Sequence, residues 1–287
     1  MGVYVVTGAA SGMGQQAATK LRAQGHTVIA VDVKEGDIVA DLSTAEGRQA
    51  AADQVLARSD RLDGAVLAAG IGPTPGKDSA RLIFEVNYRG VVDLLQAWRP
   101  ALAAADRAKV VVIGSNSTTT TPAVPRRTVR ALLAGDTDKA VRSLKLFGPV
   151  APSLGYAASK IAVSHWVRRT AVSRQWAGEG IRLNALAPGA IMTPLLEKQL
   201  ATPREAKAVN AFPVPIGGFG DPAQLADWML FMLSDSADFL CGSIIFVDGG
   251  SDAYFRARDW PRSVPARRLP SLSVAVRKVR CHQVVPA

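Results

Sequence analysis

Short runs of β-branched and aliphatic residues alternate with longer stretches rich in Ala, Leu, Arg and Gln over residues 1–255. The apolar runs are nearly continuous, which is typical of strands buried on both faces of a parallel sheet. The predicted strands are Val3–Thr7, Thr27–Asp32, Gly64–Ala69, Lys109–Gly114, Ile181–Ala187 and Ser243–Asp248. The predicted helices are Gln15–Gln24, Thr44–Ala57, Ala80–Ala105 with a break at Pro100, Tyr156–Ala177 and Pro222–Leu233. This order predicts an α/β fold, a single doubly wound parallel-sheet (Rossmann) domain with helices on both faces.

One connection is longer than the others. Residues 117–154 separate the fourth predicted strand from the Tyr156 helix and contain two stretches with helical character. Connections of this length are usually functional or carry helices of their own. We therefore expect one or two short helices here, at the C-terminal edge of the sheet.

The positive charge of the chain is unevenly distributed. The 34 Lys and Arg residues against 24 Asp and Glu give a formal net charge of +10, of which residues 256–287 carry +7. This terminal segment also holds four prolines and shows no sustained helical or strand period. We predict a catalytic domain over 1–255 and a basic, poorly ordered C-terminal tail over 256–287. A solvated tail is favoured over one that binds an anionic surface, so a nucleic-acid partner is not favoured.

Composition also excludes several classes of protein. Only two cysteines occur, Cys241 and Cys281, which excludes a disulfide scaffold and favours a reducing compartment. The three histidines have no metal-ligand spacing, so no metal is expected. No apolar stretch approaches the roughly 20 residues of a membrane-spanning helix, and no signal peptide is evident. The sequence therefore predicts a cytoplasmic protein that does not bind a membrane.

A glycine-rich turn follows the first predicted strand and opens a helix. Thr7–Gly14 reads TGAASGMG, and such a turn lets the backbone approach a pyrophosphate at a helix N-terminus. Asp32 ends the second predicted strand, where a carboxylate binds the adenosine ribose hydroxyls and repels a 2′-phosphate. NAD(H) is therefore favoured over NADP(H), although the nearby Lys34 leaves dual use open. Asp41 and Leu42 follow where a side chain could contact adenine.

Tyr156 and Lys160 are four residues apart on a predicted helix, in the segment YAASK. Residues at this spacing lie on one helix face. A cation within a few ångströms favours the phenolate, and so lowers a tyrosine pKa that is ordinarily near 10. Tyr156 would then act as a general acid and base near neutral pH. A Tyr and a Lys at this spacing are common on helix surfaces, so the interpretation depends on the glycine turn.

Together these motifs resemble the classical short-chain dehydrogenase/reductase family over about residues 2–252. Further matching segments are Leu67–Gly70, in which both asparagines of the family's Asn-Asn-Ala-Gly motif are replaced, Asn87, Ser115, Pro188–Thr193 and Phe246–Gly250. Within the family, the segment Asp41–Arg48 and the separation of 41 positions from Ser115 to Tyr156 are most similar to the 3α-hydroxysteroid dehydrogenase/carbonyl reductase type.

The resemblance implies four catalytic residues. Ser115 would hydrogen-bond the substrate oxygen, although Asn116 and Ser117 compete for this assignment, and Tyr156 would exchange a proton with that oxygen. Lys160 would hold the nicotinamide ribose and lower the pKa of Tyr156. Asn87 would support a proton-relay water through its helix backbone, or is an ordinary helix-interior residue. The implied cofactor-binding residues are Gly8, Ser11, Gly12, Met13, Gly14, Asp32, Asp41, Leu42, Ala69, Gly70, Tyr156, Lys160, Pro188, Gly189, Ile191 and Thr193.

These assignments predict an NAD(H)-dependent oxidoreductase that interconverts a secondary alcohol and a ketone. The substrate walls should come from 117–154 and from a substrate loop over 190–220. Their apolar residues, which favour a small hydrophobic and possibly steroid-like alcohol or ketone, are Leu132, Leu133, Leu146, Phe147, Leu195, Leu196, Phe212 and Phe219. An NAD-dependent epimerase or dehydratase, and a non-enzymatic dinucleotide sensor or nucleic-acid binder, are the alternatives. A homodimer or homotetramer is expected, with the insertion able to block or redirect the subunit contact that the family commonly makes through the Tyr156 helix.

Overall fold

In the part of the chain that the computed structural model describes, seven parallel strands form one sheet in the order β3-β2-β1-β4-β5-β6-β7. The strands are β1 Val3–Thr7, β2 Thr27–Asp32, β3 Ile38–Val39, β4 Gly64–Leu67, β5 Lys109–Ile113, β6 Arg182–Pro188 and β7 Ile244–Val247. The structure describes residues 1–73, 76, 78–261 and 263. The doubly wound parallel sheet predicted from the sequence is confirmed.

Helices cover both faces of this sheet. They are α1 Gly12–Ala23, α2 Ala45–Arg58, α3 Ser79–Phe84, α4 Gly90–Ala103, α5 Ser117–Thr120, α6 Arg126–Leu133, α7 Thr137–Leu144, α8 Ala151–Ala171, α9 Pro194–Leu200, α10 Pro203–Asn210, α11 Pro222–Leu233 and α12 Ser251–Arg256. Successive strand residues point to opposite faces, so Val5 packs in one core with α2, α4 and α8, while Val6 packs in a second core with α1 and α11. Burial on both faces explains the continuous apolar runs of the strands.

Two helix boundaries differ from the sequence prediction. Pro100 does not break its helix, because α4 continues through it to Ala103, although Pro100 lacks the N–H for one helical hydrogen bond. Instead, a π-helical turn over Glu85–Arg89 separates α3 from α4. Helix α8 begins five residues before Tyr156 and ends at Ala171. The two-residue edge strand β3 was not predicted, because so short a pairing has no recognisable period.

The insertion 117–154 holds three short helices and a 3₁₀ segment, Lys145–Val150, rather than one or two helices. Helix α5 follows β5 at the carboxyl end of the sheet, as expected. Helix α6 packs against α8, and α7 packs against α3. The insertion therefore adds to the helical layer that carries Tyr156.

The chain divides into two compact units, of which Met1–Phe255 is the first and the second begins at Arg256. Most of the basic tail predicted over 256–287 lies outside the described residues. Among the helices that the structure describes, none is both long enough and apolar enough to cross a bilayer.

Candidate active site

Two adjoining cavities lie at the carboxyl ends of the strands. In the sheet, β2 and β3 lie on one side of β1 and β4 lies on the other, so the strand order reverses at β1. Ligands of doubly wound sheets bind outside the carboxyl ends of the strands at such a switch point. The loop-side cavity, of about 420 Å³, is lined by the glycine turn and the end of β2. The tyrosine-side cavity, of about 410 Å³, is lined by the ends of β5 and β6 and by α8. Met13, Gly70, Thr193 and Leu195 are among the residues that line both cavities, which therefore adjoin.

Close packing explains the glycines of the first turn. Gly8 has φ +68°, and a Cβ there would lie 2.7 Å from the Ala69 nitrogen. A Cβ on Gly14 would lie 2.3 Å from the Gly8 carbonyl oxygen. The side chain of Ser11, the N-cap residue of α1, makes no capping hydrogen bond. The first-turn N–H groups therefore face the cavities as a site for an anionic group, and this arrangement fits a dinucleotide pyrophosphate.

The Asp32 carboxylate lies at the wall of the loop-side cavity. Its two oxygens accept hydrogen bonds from the Ala10 amide at 3.1 Å and the Lys34 amide at 3.0 Å. These bonds fix the carboxylate beside the glycine turn. The same cavity is lined by the other residues predicted for the adenosine side, which are Gly8, Ser11, Gly12, Gly14, Asp41, Leu42 and Ala69. The residues present thus fit the adenosine half of NAD.

Tyr156 and Lys160 lie on α8 and line the tyrosine-side cavity with Ser115, Pro188, Gly189 and Ile191. The Lys160 Nζ donates a hydrogen bond to the Ile113 carbonyl at 2.8 Å and lies 5.9 Å from the centroid of the Tyr156 ring. The carbonyl therefore anchors the ammonium at the end of β5. The i and i+4 spacing brings both side chains to one cavity, as the sequence predicts.

The ionisation of this pair differs from the sequence expectation. Burial raises the pKa of the Tyr156 hydroxyl above its ordinary value, and the Ser115 hydroxyl only partly opposes this. Burial also lowers the pKa of Lys160 to about 8. The pKa of Tyr156 therefore lies above its ordinary value of 10, because the loss of solvent disfavours the charged phenolate. Tyr156 holds its proton at neutral pH.

Ser115 is buried at the end of β5, and its Oγ accepts a hydrogen bond from the Ser117 amide at 3.1 Å. Asn116 and Ser117, the two competitors for its role, also line the tyrosine-side cavity. The Asn116 side chain is directed towards Asp248, with Nδ2 3.5 Å from its Oδ2. Of the three residues, Ser115 is the one whose hydroxyl acts on the pKa of Tyr156.

Asn87 does not line either cavity. It lies fully buried in the π-helical turn, where its side chain accepts from the Ile71 amide and donates to the Ile71 carbonyl, both at 2.9 Å. The extra residue of a π-turn re-aims the helix locally, and such turns are frequent at functional sites. Asn87 thus fixes the strand end beside Gly70, and the other predicted site residues line the cavities directly.

The walls of the tyrosine-side cavity differ from the expectation in one respect. Leu195, Leu196 and Phe212 line it, whereas none of the predicted apolar residues of the insertion does. Leu132 is buried in the core and Leu146 is 83% exposed. The insertion and its flanks contribute hydroxyl groups instead, from Ser117, Thr120, Thr121 and Ser153. The cavity therefore has an apolar side and a hydroxyl-bearing side, which the sequence analysis missed.

Arg48 was also missed as a site-supporting residue. Its buried guanidinium donates to the Leu42 carbonyl at 3.0 Å and pairs with Glu85 at 3.0 Å and Asp93 at 2.8 Å. It therefore ties the adenosine side of the loop-side cavity to the turn that carries Asn87. The available signal was a charged residue on the apolar face of α2, alongside Ala51, Ala52 and Val55.

Comparison with protein families identifies the fold and its chemistry. A family model described as short chain dehydrogenase matches residues 2–125, and a second, described as enoyl-(acyl carrier protein) reductase, matches residues 146–252. The 3-alpha-hydroxysteroid dehydrogenase/carbonyl reductase of Comamonas testosteroni is 37% identical over 89% of this chain and 98% of its own. The chain belongs to the short-chain dehydrogenase family.

Two further relatives of this short-chain dehydrogenase extend the comparison. The cis-4-hydroxycyclohexanecarboxylate dehydrogenase of Sinomonas cyclohexanicum is 31% identical over 88% of this chain and 96% of its own. The crystal structure of the 3-alpha-hydroxysteroid dehydrogenase from Pseudomonas sp. B-0831 complexed with NADH has a TM-score of 0.83. That protein is 41% identical, and the match covers 90% of this chain and all of the other.

These matches confirm three predictions. They confirm the family, the resemblance to the 3α-hydroxysteroid dehydrogenase/carbonyl reductase type, and an oxidoreductase acting on alcohol or ketone groups. They do not favour the epimerase, dehydratase or non-enzymatic alternatives. They also support a nicotinamide cofactor as the partner of the two cavities.

Proposed function

We propose that this short-chain dehydrogenase interconverts a secondary alcohol and a ketone on a hydrophobic, steroid-like substrate with NAD(H). The convergence of Ser115, Tyr156 and Lys160 in the tyrosine-side cavity, next to the loop-side cavity, is the observation that carries the proposal. A substrate oxygen in the tyrosine-side cavity would meet two hydroxyl groups beside a buried cation. Such an arrangement stabilises charge that develops on a carbonyl or alcohol oxygen.

NAD(H) supplies or accepts the hydride when bound. Tyr156 exchanges a proton with the substrate oxygen, and Ser115 donates a hydrogen bond to the same oxygen. Burial raises the pKa of the Tyr156 hydroxyl. The protonated hydroxyl can therefore donate its proton to a ketone oxygen during reduction. Lys160, held at the Ile113 carbonyl, favours the phenolate that remains.

Asp32 supports NAD(H) over NADP(H). Its carboxylate, held by two backbone amides, lies where a 2′-phosphate would add a second negative charge. The Pseudomonas relative was crystallised with NADH, which agrees with this choice. Lys34 lines the same cavity and keeps some use of NADP(H) open.

The tyrosine-side cavity supports a cyclic hydrophobic substrate. Leu195, Leu196 and Phe212 form its apolar side, which suits a fused or single hydrocarbon ring. The hydroxysteroid and hydroxycyclohexanecarboxylate dehydrogenases among the relatives are named for ring alcohols. A panel of 3α-hydroxysteroids, terpene alcohols and small cyclic alcohols, each with NAD, tests the substrate class.

Tyr156→Phe tests the mechanism. It should lower kcat by at least about 100-fold, as expected for loss of a general acid and base, while NADH affinity stays within about twofold of wild type. Tyr254→Phe is the matched control, since Tyr254 is an exposed tyrosine on α12 that does not line either cavity. Turnover that survives in Tyr156→Phe would refute the proposed chemistry.

We also infer a homo-oligomer, a dimer or a tetramer. In the structure α6 packs on α8, and Ser153, His165, Arg168 and Arg169 are the exposed residues of α8. The packing of α6 on α8 supports an oligomer that uses a face other than α8. Light scattering that gives a monomer mass would refute this inference.

The small number of cysteines supports a cytoplasmic location. Cell fractionation tests this location, and recovery outside the cytoplasmic fraction would contradict it. The division into a catalytic domain over 1–255 and a tail over 256–287 stays a proposal, which truncation after residue 255 tests. The shortened protein should keep its activity.

A further inference from the structure

The end of the substrate loop rests on the turn that follows β7. The Ser251 hydroxyl is fully buried and lies 2.8 Å from the Pro213 carbonyl and 3.0 Å from the Asp248 carbonyl. The Ile216 amide donates a hydrogen bond to the Gly249 carbonyl at 3.2 Å. Two segments distant in sequence, 213–216 and 248–251, are thus joined by backbone and side-chain hydrogen bonds.

The packing between these segments leaves no room for larger residues in the turn. A Cβ on Gly249, which has φ +66°, would lie 2.6 Å from the Val214 Cγ1. A Cβ on Gly250 would lie 3.3 Å from the Pro215 Cγ. The glycine pair therefore permits the substrate loop to approach the turn directly.

An aromatic contact extends this junction to the cavity wall. The rings of Phe212 and Phe255 have centroids 5.7 Å apart and planes tilted by 43°. Phe212 lines the tyrosine-side cavity, whereas Phe255 lies on α12 and does not line it. Movement of the Phe255 ring would therefore displace a residue of the cavity wall.

The turn itself is fixed by Asp248. Its carboxylate accepts hydrogen bonds from the Gly250 amide at 3.0 Å and the Asp252 amide at 2.7 Å. Asn116, which neighbours Ser115 and lines the cavity, is directed towards the same carboxylate. The start of α12 is consequently held in register with the catalytic end of β5.

We propose that Ser251 and Phe255 are positioning residues that set the substrate wall through Pro213 and Phe212. They fix the apolar side of the cavity and thereby set the affinity for bulky hydrophobic substrates. Neither residue lines the loop-side cavity, so cofactor affinity does not depend on them. The substrate part of this inference rests on the proposed function, whereas the mechanical part does not.

Amide hydrogen exchange of the full chain tests the mechanical part without any substrate. Phe255→Ala and Ser251→Ala should each speed exchange over residues 203–213 by about 2- to 10-fold, because an aromatic pair or a buried hydrogen bond is lost. Amide exchange in the glycine turn Thr7–Gly14, which follows β1, should not change. Phe239→Ala, at a fully exposed phenylalanine, is the matched control. Unchanged exchange over 203–213, or an equal increase throughout the chain, would overturn the proposal.

Kinetics with NAD and two probe alcohols test the substrate part. With a 3α-hydroxysteroid, Phe255→Ala should raise KM about 2- to 10-fold and leave kcat within about twofold. The KM values for cyclopentanol and for NAD should not change. Phe255→Tyr, which keeps the ring, should restore the steroid KM.

A fall in kcat, or a matching rise in the KM for NAD, would indicate a merely structural role and overturn this assignment. If wild type oxidises neither alcohol, the proposed function fails. The exchange experiment then still decides whether α12 positions the substrate loop.

Discussion

The two halves of the site are built differently. The loop-side half is formed by strand ends and a glycine turn whose atoms approach to the limit of van der Waals contact. The apolar side of the other half comes from α9, α10 and the segment after them, where Leu195, which lines both cavities, is 40% exposed. A cofactor shared across a family needs one fixed geometry, whereas a substrate wall can vary in sequence without disturbing the sheet. The difference teaches that cofactor affinity and substrate affinity are separately adjustable here.

The largest expected difference between the halves is in stability. Leu67→Ala, in the buried strand β4 at the loop-side half, should lower the free energy of unfolding by about 2–5 kcal/mol. Leu195→Ala, the same truncation in the substrate wall, should cost less than about 1 kcal/mol because the side chain is partly exposed. Urea unfolding measures both. Equal losses would show that the two halves are packed alike.

A methyl group in the glycine turn Thr7–Gly14 should weaken cofactor binding. Gly14→Ala places a Cβ 2.3 Å from the Gly8 carbonyl oxygen, and the resulting strain should weaken NADH binding by about 5- to 150-fold. The control is Gly178→Ala, whose Cβ would meet only the flexible Arg174 side chain at 3.3 Å. Fluorescence titration with NADH gives both affinities. An unaltered affinity in Gly14→Ala would contradict the close packing of this half.

The buried lysine should make stability depend on pH. Burial lowers the pKa of Lys160 from 10.5 to about 8, so between these values the unfolded chain binds more protons than the folded one. Stability then rises with pH over this window and is lower below it. Relative to Lys160→Met, wild type should gain a few degrees in Tm between pH 8 and pH 10.5. A constant difference in Tm would show that Lys160 is not titrating there.

Cofactor choice should show the smallest effect. Asp32→Asn removes the negative charge but keeps an oxygen for the Ala10 amide, and should shift the kcat/KM preference towards NADP by about tenfold. Asp60→Asn, at an exposed site away from the cavities, should leave the preference unchanged. If wild type already prefers NADPH strongly, the role of Asp32 is wrong.

The features that could be predicted from the sequence are those with a signal in a short stretch of residues. The six long strands are continuous apolar runs, and Tyr156 and Lys160 carry their spacing within one helix turn, so both are visible in short windows of sequence. The π-turn at Glu85–Arg89 has no such signal, and the hydrogen bonds between its Asn87 and Ile71 join residues 16 positions apart. Strand β3 was missed for the same reason, since its two residues pair only with β2.

The substrate half of the site shows most clearly what could not be predicted from the sequence. The apolar residues of the insertion predicted a hydrophobic wall, yet Leu132 packs into the core and Leu146 faces solvent. Which side of a short helix faces a cavity depends on the helices packed against it, and α6 and α7 are oriented by α8 and α3. Hydropathy alone does not contain that information.

The sequence by itself determined the parallel sheet, the family and the residues grouped at the strand ends, because these follow from periodicity and from motifs of fixed spacing. The tertiary structure alone decided that burial raises the pKa of Tyr156 and lowers that of Lys160. It also decided that Arg48 ties Leu42 to Glu85 and that Phe255 supports Phe212. Desolvation and contacts between distant segments depend on how the whole chain packs, and neighbouring residues do not encode them.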